Sequence, residues 1–132
     1  MYRSPFVNSK YQEPENLGDA VNTEFDEYEP FMAPDESFLI FMAGGRPDGL
    51  GGFDLYISYK RNGQWTKAKN LGAPINSPAD ELSPRVTSDG TYFFWASACS
   101  LIDKPKEKSW KIQELSNAYQ SSRKRTWRYL LC

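Results

Sequence analysis

Residues 44–58, GGRPDGLGGFDLYIS, place a glycine-rich loop directly before a strand in which apolar and polar residues alternate. Glycine has no Cβ atom, so such a loop can turn through positive φ. We expect Gly52 to take a backbone conformation closed to β-branched residues. The preceding residues 38–43, FLIFMA, are apolar on both faces, which is typical of a strand buried between two neighbouring sheets. Together these features predict a β-hairpin with a long, glycine-rich tip.

The surroundings of this hairpin occur again 54 residues further along the chain. Conservative pairs such as Val21 with Ile75 follow the same offset, and the first residues follow it too, with Tyr2 matching Tyr56. The identical pairs are Asn16 and Asn70, Leu17 and Leu71, Gly18 and Gly72, Asn22 and Asn76, Asp26 and Asp80, Glu27 and Glu81, Pro30 and Pro84, and Asp35 and Asp89.

This internal repeat decides the predicted fold. Repeats of about 40 to 50 residues that are rich in short strands are typical of propeller blades. We therefore expect an all-β chain, a partial β-propeller of roughly two four-stranded antiparallel blades, with a short helix inserted near the C-terminus. Closed propellers have about 4 to 8 blades, whereas 132 residues hold fewer than three periods. Either the chain is a fragment of a larger protein, or copies associate to complete the propeller.

The repeat divides the chain into four predicted parts. They are residues 1–26, the end of an incomplete first blade and its linker; residues 27–80, a complete blade and its linker; residues 81–122, a second blade interrupted by a helical insertion at 109–120; and residues 123–132, an atypical basic tail.

Within the complete blade we expect four strands, at residues 27–32, 37–43, 53–60 and 64–71. Pro34 and Asp35 predict a tight turn in which the aspartate bonds its own backbone further on. The pair Asn62-Gly63 is the one favoured where a hairpin needs positive φ. The corresponding strands of the neighbouring blades are expected at residues 10–17, 81–86 and 91–97.

The end of the chain differs in charge from the rest. Residues 1–103 hold 8 basic and 15 acidic side chains, whereas residues 104–132 hold 8 basic and 2 acidic ones. A basic tail can bind nucleic acid, but no nucleic-acid motif is present, and a solvated end with no nucleic-acid partner is favoured. We also hypothesise that residues 123–132, RKRTWRYLLC, are a frame-shifted reading of a missing strand. Codons allowed for them give Gly-Asn-Gly-Leu-Gly-Asp-Ile-Tyr-Tyr when read one base later.

Localisation and redox state are not determined by composition. No segment approaches the roughly 20 apolar residues of a membrane span, and no apolar h-region follows the first residues to make a signal peptide. Cys99 and Cys132 lie outside the repeated pattern, so a disulfide framework is not implied.

The repeated motifs resemble those of the WD-repeat-like β-propellers of bacterial envelope proteins, the TolB-type or "PD" repeats. The motifs that carry the resemblance are Asn70-Leu71-Gly72, Ile75-Asn76-Ser77, Asp80-Glu81, Ser88-Asp89-Gly90 and Gly51-Gly52-Phe53-Asp54-Leu55-Tyr56. The resemblance implies a periplasmic or cell-surface location. It also implies a non-catalytic module that binds a protein, a glycan or another envelope component. The alternative is the propeller part of a peptidase or glycosidase whose catalytic residues lie outside this chain.

Catalytic chemistry finds little support in the residues. The chain has no histidine, which removes Ser-His and Cys-His nucleophilic pairs. The adjacent carboxylates Asp26-Glu27 and Asp80-Glu81 point to opposite faces of an extended strand. Because they recur at equivalent positions, we expect them to bond linker amides rather than to act as acid and base. The chain is therefore expected not to be an enzyme, and no residue is assigned as catalytic.

The carboxylates of the glycine-rich loop have two possible roles, metal binding and a structural role. Asp48 and Asp54 could contribute to a Ca²⁺ site, but two carboxylates are few for this ion. We expect no metal or cofactor, with Asp54 accepting hydrogen bonds from loop amides.

Two further groups of side chains complete the expectations. Aromatic residues in the apolar strands are expected to form the core between blades rather than a sugar site; they are Phe38, Phe41, Tyr92, Phe94 and Trp95. Exposed connections are where such scaffolds place their contacts. Arg46, Asp48 and Tyr59 lie in or beside them and are the predicted partner-binding residues.

Overall fold

The computed structural model describes residues 1–99, which are all-β as predicted. The predicted helix at 109–120 and the tail at 123–132 lie outside the described residues. The strands are β1 (Tyr2–Arg3), β2 (Phe6–Val7), β3 (Lys10–Tyr11), β4 (Glu15–Asn16), β5 (Asp26–Met32), β6 (Phe38–Gly44), β7 (Phe53–Arg61), β8 (Gln64–Trp65), β9 (Lys69–Asn70), β10 (Glu81–Val86) and β11 (Phe93–Ser97).

The central sheet contains five antiparallel strands. Its order is β5-β6-β7-β8, and β9 also pairs with β7. Strands β6 and β7 pair from Phe38 opposite Tyr59 to Gly44 opposite Phe53. This pairing confirms the predicted hairpin, with the glycine-rich loop as its tip. At the other end of β7, Asn62 and Gly63 have φ of 50° and 80°, so the Asn-Gly turn also forms as predicted.

The strand pairing repeats at the same offset as the sequence. We call β1–β4 unit 1, β5–β9 unit 2, and β10 with β11 unit 3. Each pair of strands in units 1 and 3 has the register of its counterpart in unit 2. Examples are Tyr2↔Asn16 with Tyr56↔Asn70, Val7↔Lys10 with Arg61↔Gln64, and Glu81↔Ser97 with Glu27↔Ala43.

Unusual backbone conformations repeat as well. Glu29 and Ser83 both have positive φ, at 49° and 53°, and each lies at a break in register of its hairpin. A non-glycine residue rarely adopts positive φ, so its recurrence at equivalent positions marks the units as copies of one local structure. The other pairs with positive φ are Asn8 and Asn62, Ser9 and Gly63, Gly18 and Gly72, and Glu36 and Gly90.

The strand predicted at residues 64–71 is split into β8 and β9. Between them, the Ala68 amide donates to the Ala20 carbonyl in the segment between units 1 and 2, at 3.1 Å. The Thr66 hydroxyl oxygen meanwhile accepts from the Tyr59 amide at 3.0 Å. The Thr66 amide still donates to the Tyr59 carbonyl of β7 at 2.9 Å, so the chain turns away from β7 after Thr66, and Ala68 bonds to the segment before unit 2 instead. The strand predicted at residues 10–17 is split at the equivalent place, into β3 and β4.

The expectation that Gly52 needs a special backbone conformation is wrong. In the loop only Gly45 has positive φ. Glycine is required at positions 51 and 52 because the loop lies close to residues 77–80, which lead into unit 3. A Cβ atom on Gly51 would lie 1.9 Å from the Ala79 carbonyl oxygen, and one on Gly52 would lie 2.5 Å from Asp80 Oδ1. The glycines let the loop lie against the next unit.

The main hydrophobic core lies between units 1 and 2. Its members are Leu17, Val21, Leu39, Phe41, Ala43, Tyr56 and Ala68, with Met1, Met32 and Trp65 packed against them. Strand β10 packs against β5, β6 and β7. Successive side chains of β6 point to opposite faces of the sheet, so Ile40 and Met42 lie on the face opposite to Leu39 and Phe41. Ile40 and Met42 are also buried. Unit 2 is therefore covered on both faces.

Of the five aromatic residues predicted to form the core between blades, only Phe41 is a member of this core. Phe41 is fully buried and Phe38 is half-buried, whereas Tyr92, Phe94 and Trp95 are exposed. Phe94 and Trp95 belong to β11 and Tyr92 directly precedes it, in the last unit that the structure describes. Within residues 1–99 no further sheet packs against β11, so its apolar side chains lack the cover that β6 receives.

Candidate functional site

A groove lies between units 1 and 2, and we call it the inter-unit groove. Its volume is about 410 Å³. Arg3 and residues 15–20, from unit 1 and the segment that follows it, line one side, and Lys60 and residues 63–65 line the other. Two turns form its walls. One is the hairpin at Asn62-Gly63, and the other follows β4, where Gly18 has positive φ.

Ion pairs order the charged side chains at the edge of the inter-unit groove. Arg3 pairs with Glu15 at 2.8 Å and with Glu36, and Lys60 also pairs with Glu36. The pKa of Glu36 is lowered, mainly by the hydrogen bond from Lys60, and the pKa of Arg3 is raised, mainly by the hydrogen bond to Glu15. Cationic and anionic groups therefore balance each other around the opening.

An aromatic ring and amides complete the lining. Trp65 is half-buried, and the Lys60 Nζ atom lies 5.6 Å from its ring centroid. The Asn16 side chain is held in place because its oxygen accepts from the Gly18 amide at 2.8 Å. The exposed Gln64 side chain has no hydrogen-bond partner within residues 1–99. The inter-unit groove thus combines an indole, a free amide and balanced charges.

A second polar cluster lies beneath the glycine-rich loop. Arg46 is almost fully buried, and its Nη2 atom donates to Glu27 Oε1 at 2.7 Å and to the Val21 carbonyl at 3.2 Å. Its guanidinium lies 4.6 Å from the ring centroid of Tyr56 and 5.4 Å from that of Phe41. Arg46 therefore ties the loop to the segment before β5, and its charge is used inside the fold.

Tyr56 links this cluster to the tip of the loop. Its hydroxyl donates to Asp48 Oδ1 at 2.9 Å. Burial raises the pKa of Tyr56 to about 12. Asp54 accepts hydrogen bonds from the Leu50 amide and from Asn70 Nδ2, which confirms the expectation that it fixes the loop. Its second oxygen is buried and has no hydrogen-bond partner within residues 1–99.

The structure places the three predicted partner-binding residues differently. Arg46 and Asp48 both contact Tyr56 under the glycine-rich loop, whereas Tyr59 lies at the opposite end of β7. Tyr59 is 40% exposed, and the guanidinium of Arg61 lies 5.5 Å from its ring centroid. The structure therefore does not bring the three together into one surface.

None of the residues that line the inter-unit groove was predicted from the sequence to be a site residue. Lys60, Gln64 and Trp65 flank the Asn-Gly turn and read as ordinary hairpin residues. Arg3 and Glu15 lie opposite each other in the short β1–β4 ladder of unit 1.

Glu27, Asp80 and Glu81 have the structural role expected of the recurring carboxylates, whereas the exposed Asp26 side chain forms no hydrogen bond within residues 1–99. Glu81 accepts from the Ser77 amide at 2.9 Å and from the Ser77 hydroxyl at 2.5 Å. Glu27 accepts in the same way from Thr23. Asp80 accepts from the Phe53 amide of unit 2 at 3.0 Å. Within the described residues, no three His, Cys, Asp or Glu side chains are grouped so as to hold a metal ion.

Comparisons with protein-family models, with curated proteins and with solved structures gave no match. In the part of the chain that the structure describes, no helix has the length and apolar character needed to cross a membrane.

Proposed function

We propose that this chain is part of a β-propeller of the WD-repeat-like, TolB-type class and that its units are successive blades. The observation that carries the proposal is the identical strand register at an offset of 54 residues in β1–β4, β5–β9 and β10–β11. Repetition of strand pairing, of bulge position and of linker hydrogen bonds is what a radial array of like sheets requires.

We further propose that the module is non-catalytic and binds a polar partner in the inter-unit groove. A glycan of the bacterial envelope is the ligand that the lining fits best. Sugars present hydroxyl groups to amides and an apolar face to aromatic rings, and Gln64, Asn16 and Trp65 offer these partners. Because Arg3 and Lys60 are already paired with carboxylates, a neutral or weakly charged ligand is favoured over a polyanion.

The periplasmic or cell-surface location rests on the resemblance of the repeat. The alternative of a hydrolase propeller gains no support from the carboxylates of the described residues, since Glu27, Glu81 and Asp80 are used to bond linker and loop amides. A protein of the envelope remains the alternative partner and is an outcome of the test below.

The proposal is tested with soluble oligosaccharides released from bacterial cell walls, measured by isothermal titration calorimetry. We expect saturable binding to the full chain, and at least tenfold weaker binding to the Gln64→Ala and Trp65→Ala variants. Leu50→Ala, an exposed position in the glycine-rich loop, is the matched control and should bind as the unaltered chain does. Because Gln64 is exposed, its variant separates lost binding from lost folding. Equal affinity of all variants, or binding only to an envelope protein, would overturn the glycan assignment.

A further inference from the structure

Asp19 carries a charge of the inter-unit groove that the described residues do not neutralise. The cations of Arg3 and Lys60 are matched by the carboxylates of Glu15 and Glu36 in the ion pairs at the edge. Asp19 also lines the inter-unit groove, is exposed, and has no hydrogen-bond or ion-pair partner within residues 1–99. The two cations therefore face three carboxylates, and the remaining negative charge is available to a ligand.

A turn held by hydrogen bonds presents Asp19 to the inter-unit groove. On one side of it, the Gly18 carbonyl accepts from two amides further along the chain, at 3.1 and 2.9 Å. On the other side, the Ala20 carbonyl accepts from the Ala68 amide of unit 2 at 3.1 Å. Because the backbone around Asp19 is fixed in advance, little conformational entropy is lost there when a ligand binds.

The fold does not require an aspartate in this turn. The linker between units 2 and 3 makes the same bonds, since the Gly72 carbonyl accepts from the amides of Ile75 and Asn76 at 3.1 and 2.9 Å. In that linker the residue equivalent to Asp19 is Ala73. An alanine therefore satisfies the turn, so the carboxylate of Asp19 is not needed to form it.

The acidic character of this wall belongs to the inter-unit groove and not to the repeat. Residues 16–18, Asn-Leu-Gly, recur unchanged as residues 70–72 and hold the backbone in both linkers. The carboxylates beside them do not recur, because Glu15 corresponds to Lys69 and Asp19 has no acidic equivalent. The internal repeat thus separates residues that maintain the fold from residues that give this groove its charge.

We propose that the ligand of the inter-unit groove is an amino sugar with a free, protonated amine, and that the carboxylate of Asp19 binds its ammonium group. The inference rests on the proposed function, because it specifies the chemistry of the glycan at the same site. A sugar hydroxyl can also donate to Asp19, but a hydrogen bond from an ammonium group is stronger because both partners are charged.

Trp65 and Asp19 determine the orientation of the sugar, since they lie on opposite walls of the inter-unit groove. The Lys60 ammonium group already lies 5.6 Å from the centroid of the indole ring. A second cation at the indole would be repelled by it. The apolar face of the sugar therefore packs on Trp65, and the amine points toward Asp19. The amide of Gln64 then bonds a ring hydroxyl.

Oligosaccharides that differ at a single position test the assignment by isothermal titration calorimetry with the full chain. The β-1,4-linked trimers of glucose, N-acetylglucosamine and glucosamine carry a hydroxyl, an acetamido group and an amine at C2. At mildly acidic pH, where the amine is protonated, we expect the glucosamine trimer to bind about threefold to fivefold more tightly than the other two, the gain given by an exposed ion pair. The difference should shrink as the salt concentration rises.

Asp19→Ala and Glu13→Ala are the matched variants. Asp19→Ala introduces the residue that the equivalent turn already has at Ala73, so the fold should be unchanged. Glu13 is also exposed but does not line the inter-unit groove, so Glu13→Ala removes the same charge elsewhere. We expect Asp19→Ala to bind the three trimers with similar affinity and Glu13→Ala to keep the preference for glucosamine. Circular dichroism verifies the fold of both, and Asp19→Asn replaces an Asp19→Ala variant that unfolds.

The outcomes distinguish this inference from the proposed function. Binding of the cell-wall oligosaccharides or of the neutral trimers, without a preference for glucosamine, would overturn the inference and leave the glycan function standing. Absence of binding by every glycan would overturn both. A preference that persists in Asp19→Ala, or that is lost equally in Glu13→Ala, would show attraction to the charge of the chain as a whole and would overturn the role of Asp19.

Discussion

Ser83 donates both its amide and its hydroxyl to Oε2 of Glu29, at 2.6 and 2.8 Å, and the two residues lie 54 positions apart. They are therefore the same position of units 2 and 3, and both have positive φ. Equivalent residues touch in this way when neighbouring units converge on a common axis. The contact shows that units 2 and 3 pack together through equivalent positions, as successive blades do in the proposed propeller.

Glu29→Gln and Ser83→Ala test whether this contact stabilises the junction of the units. Each substitution is expected to lower the free energy of unfolding by about 0.5–1.5 kcal/mol, the usual net contribution of such hydrogen bonds. The double variant should cost less than the sum of the two, because both changes remove the same interaction. Urea denaturation of the three variants measures this coupling, and strict additivity would show that the contact contributes nothing.

Gly51→Ala is expected to be the most damaging substitution in the glycine-rich loop. The new methyl group would lie 1.9 Å from the Ala79 carbonyl and 2.7 Å from that of Ser77, and both are backbone atoms. Such overpacking costs about 1–3 kcal/mol. Gly63→Ala is the control, since its Cβ would meet nothing and only its φ of 80° is unfavourable. If the two variants unfolded at the same urea concentration, close packing of the loop against unit 3 would be excluded.

Asn76→Ala is expected to destabilise the chain by about 2–3 kcal/mol, because it leaves buried backbone groups unpaired. Asn76 is buried, accepts from the Leu55 amide at 2.8 Å, and donates to the Leu55 carbonyl at 2.9 Å. Asn22 makes the equivalent bonds to Met1, accepting from its terminal ammonium and donating to its carbonyl, and these partner groups are only partly buried. Asn22→Ala is therefore the matched control and should cost less. A larger loss for Asn22 would contradict this account.

Much of this architecture could be predicted from the sequence, because the residues that repeat are those that hold the backbone. Asn70, Asn76 and Glu81 make the same hydrogen bonds as Asn16, Asn22 and Glu27. Polar side chains with backbone partners leave a clear trace in sequence, since few substitutions preserve both geometry and bonding. The offset of these residues therefore predicts strand order and register.

What the sequence could not reveal depends on contacts between distant segments. Strands β8 and β9 are separate because the Ala68 amide bonds to the Ala20 carbonyl. Glycine is needed at position 51 because the Ala79 carbonyl lies too close to leave room for a Cβ atom. Nothing in the sequence distinguishes Ala20 or Ala79 from the other alanines of the chain. Exposure of Trp95 was missed because its strand has the composition of a buried one, and composition does not say whether a neighbouring sheet is present.

Arg46→Lys separates a structural from a binding role for one of the predicted partner-binding residues. Arg46 and Glu27 are almost fully buried, and breaking a buried ion pair costs about 3–5 kcal/mol when one charge is left alone. Lysine keeps the charge but loses the planar contact with Tyr56. We expect a loss of stability of about 1–3 kcal/mol by urea denaturation, with unchanged affinity at the inter-unit groove. Weaker ligand binding without any loss of stability would assign Arg46 to recognition instead.

Tyr56 is expected to make the chain unstable to alkali within a defined range of pH. Its pKa is raised to about 12, mainly by burial, whereas an unfolded tyrosine has a pKa of about 10. The folded state thus holds the phenolic proton more tightly, so the contribution of Tyr56 to stability is complete below about pH 10 and is lost as the pH rises toward 12. Urea denaturation at several values of pH across this interval measures the decline.

In Tyr56→Phe the same interval should show a smaller decline, because the phenol and its bond to Asp48 are gone. Tyr11→Phe, which alters an exposed tyrosine, should decline as the unaltered chain does. An identical decline in Tyr56→Phe would show that another group controls stability at high pH.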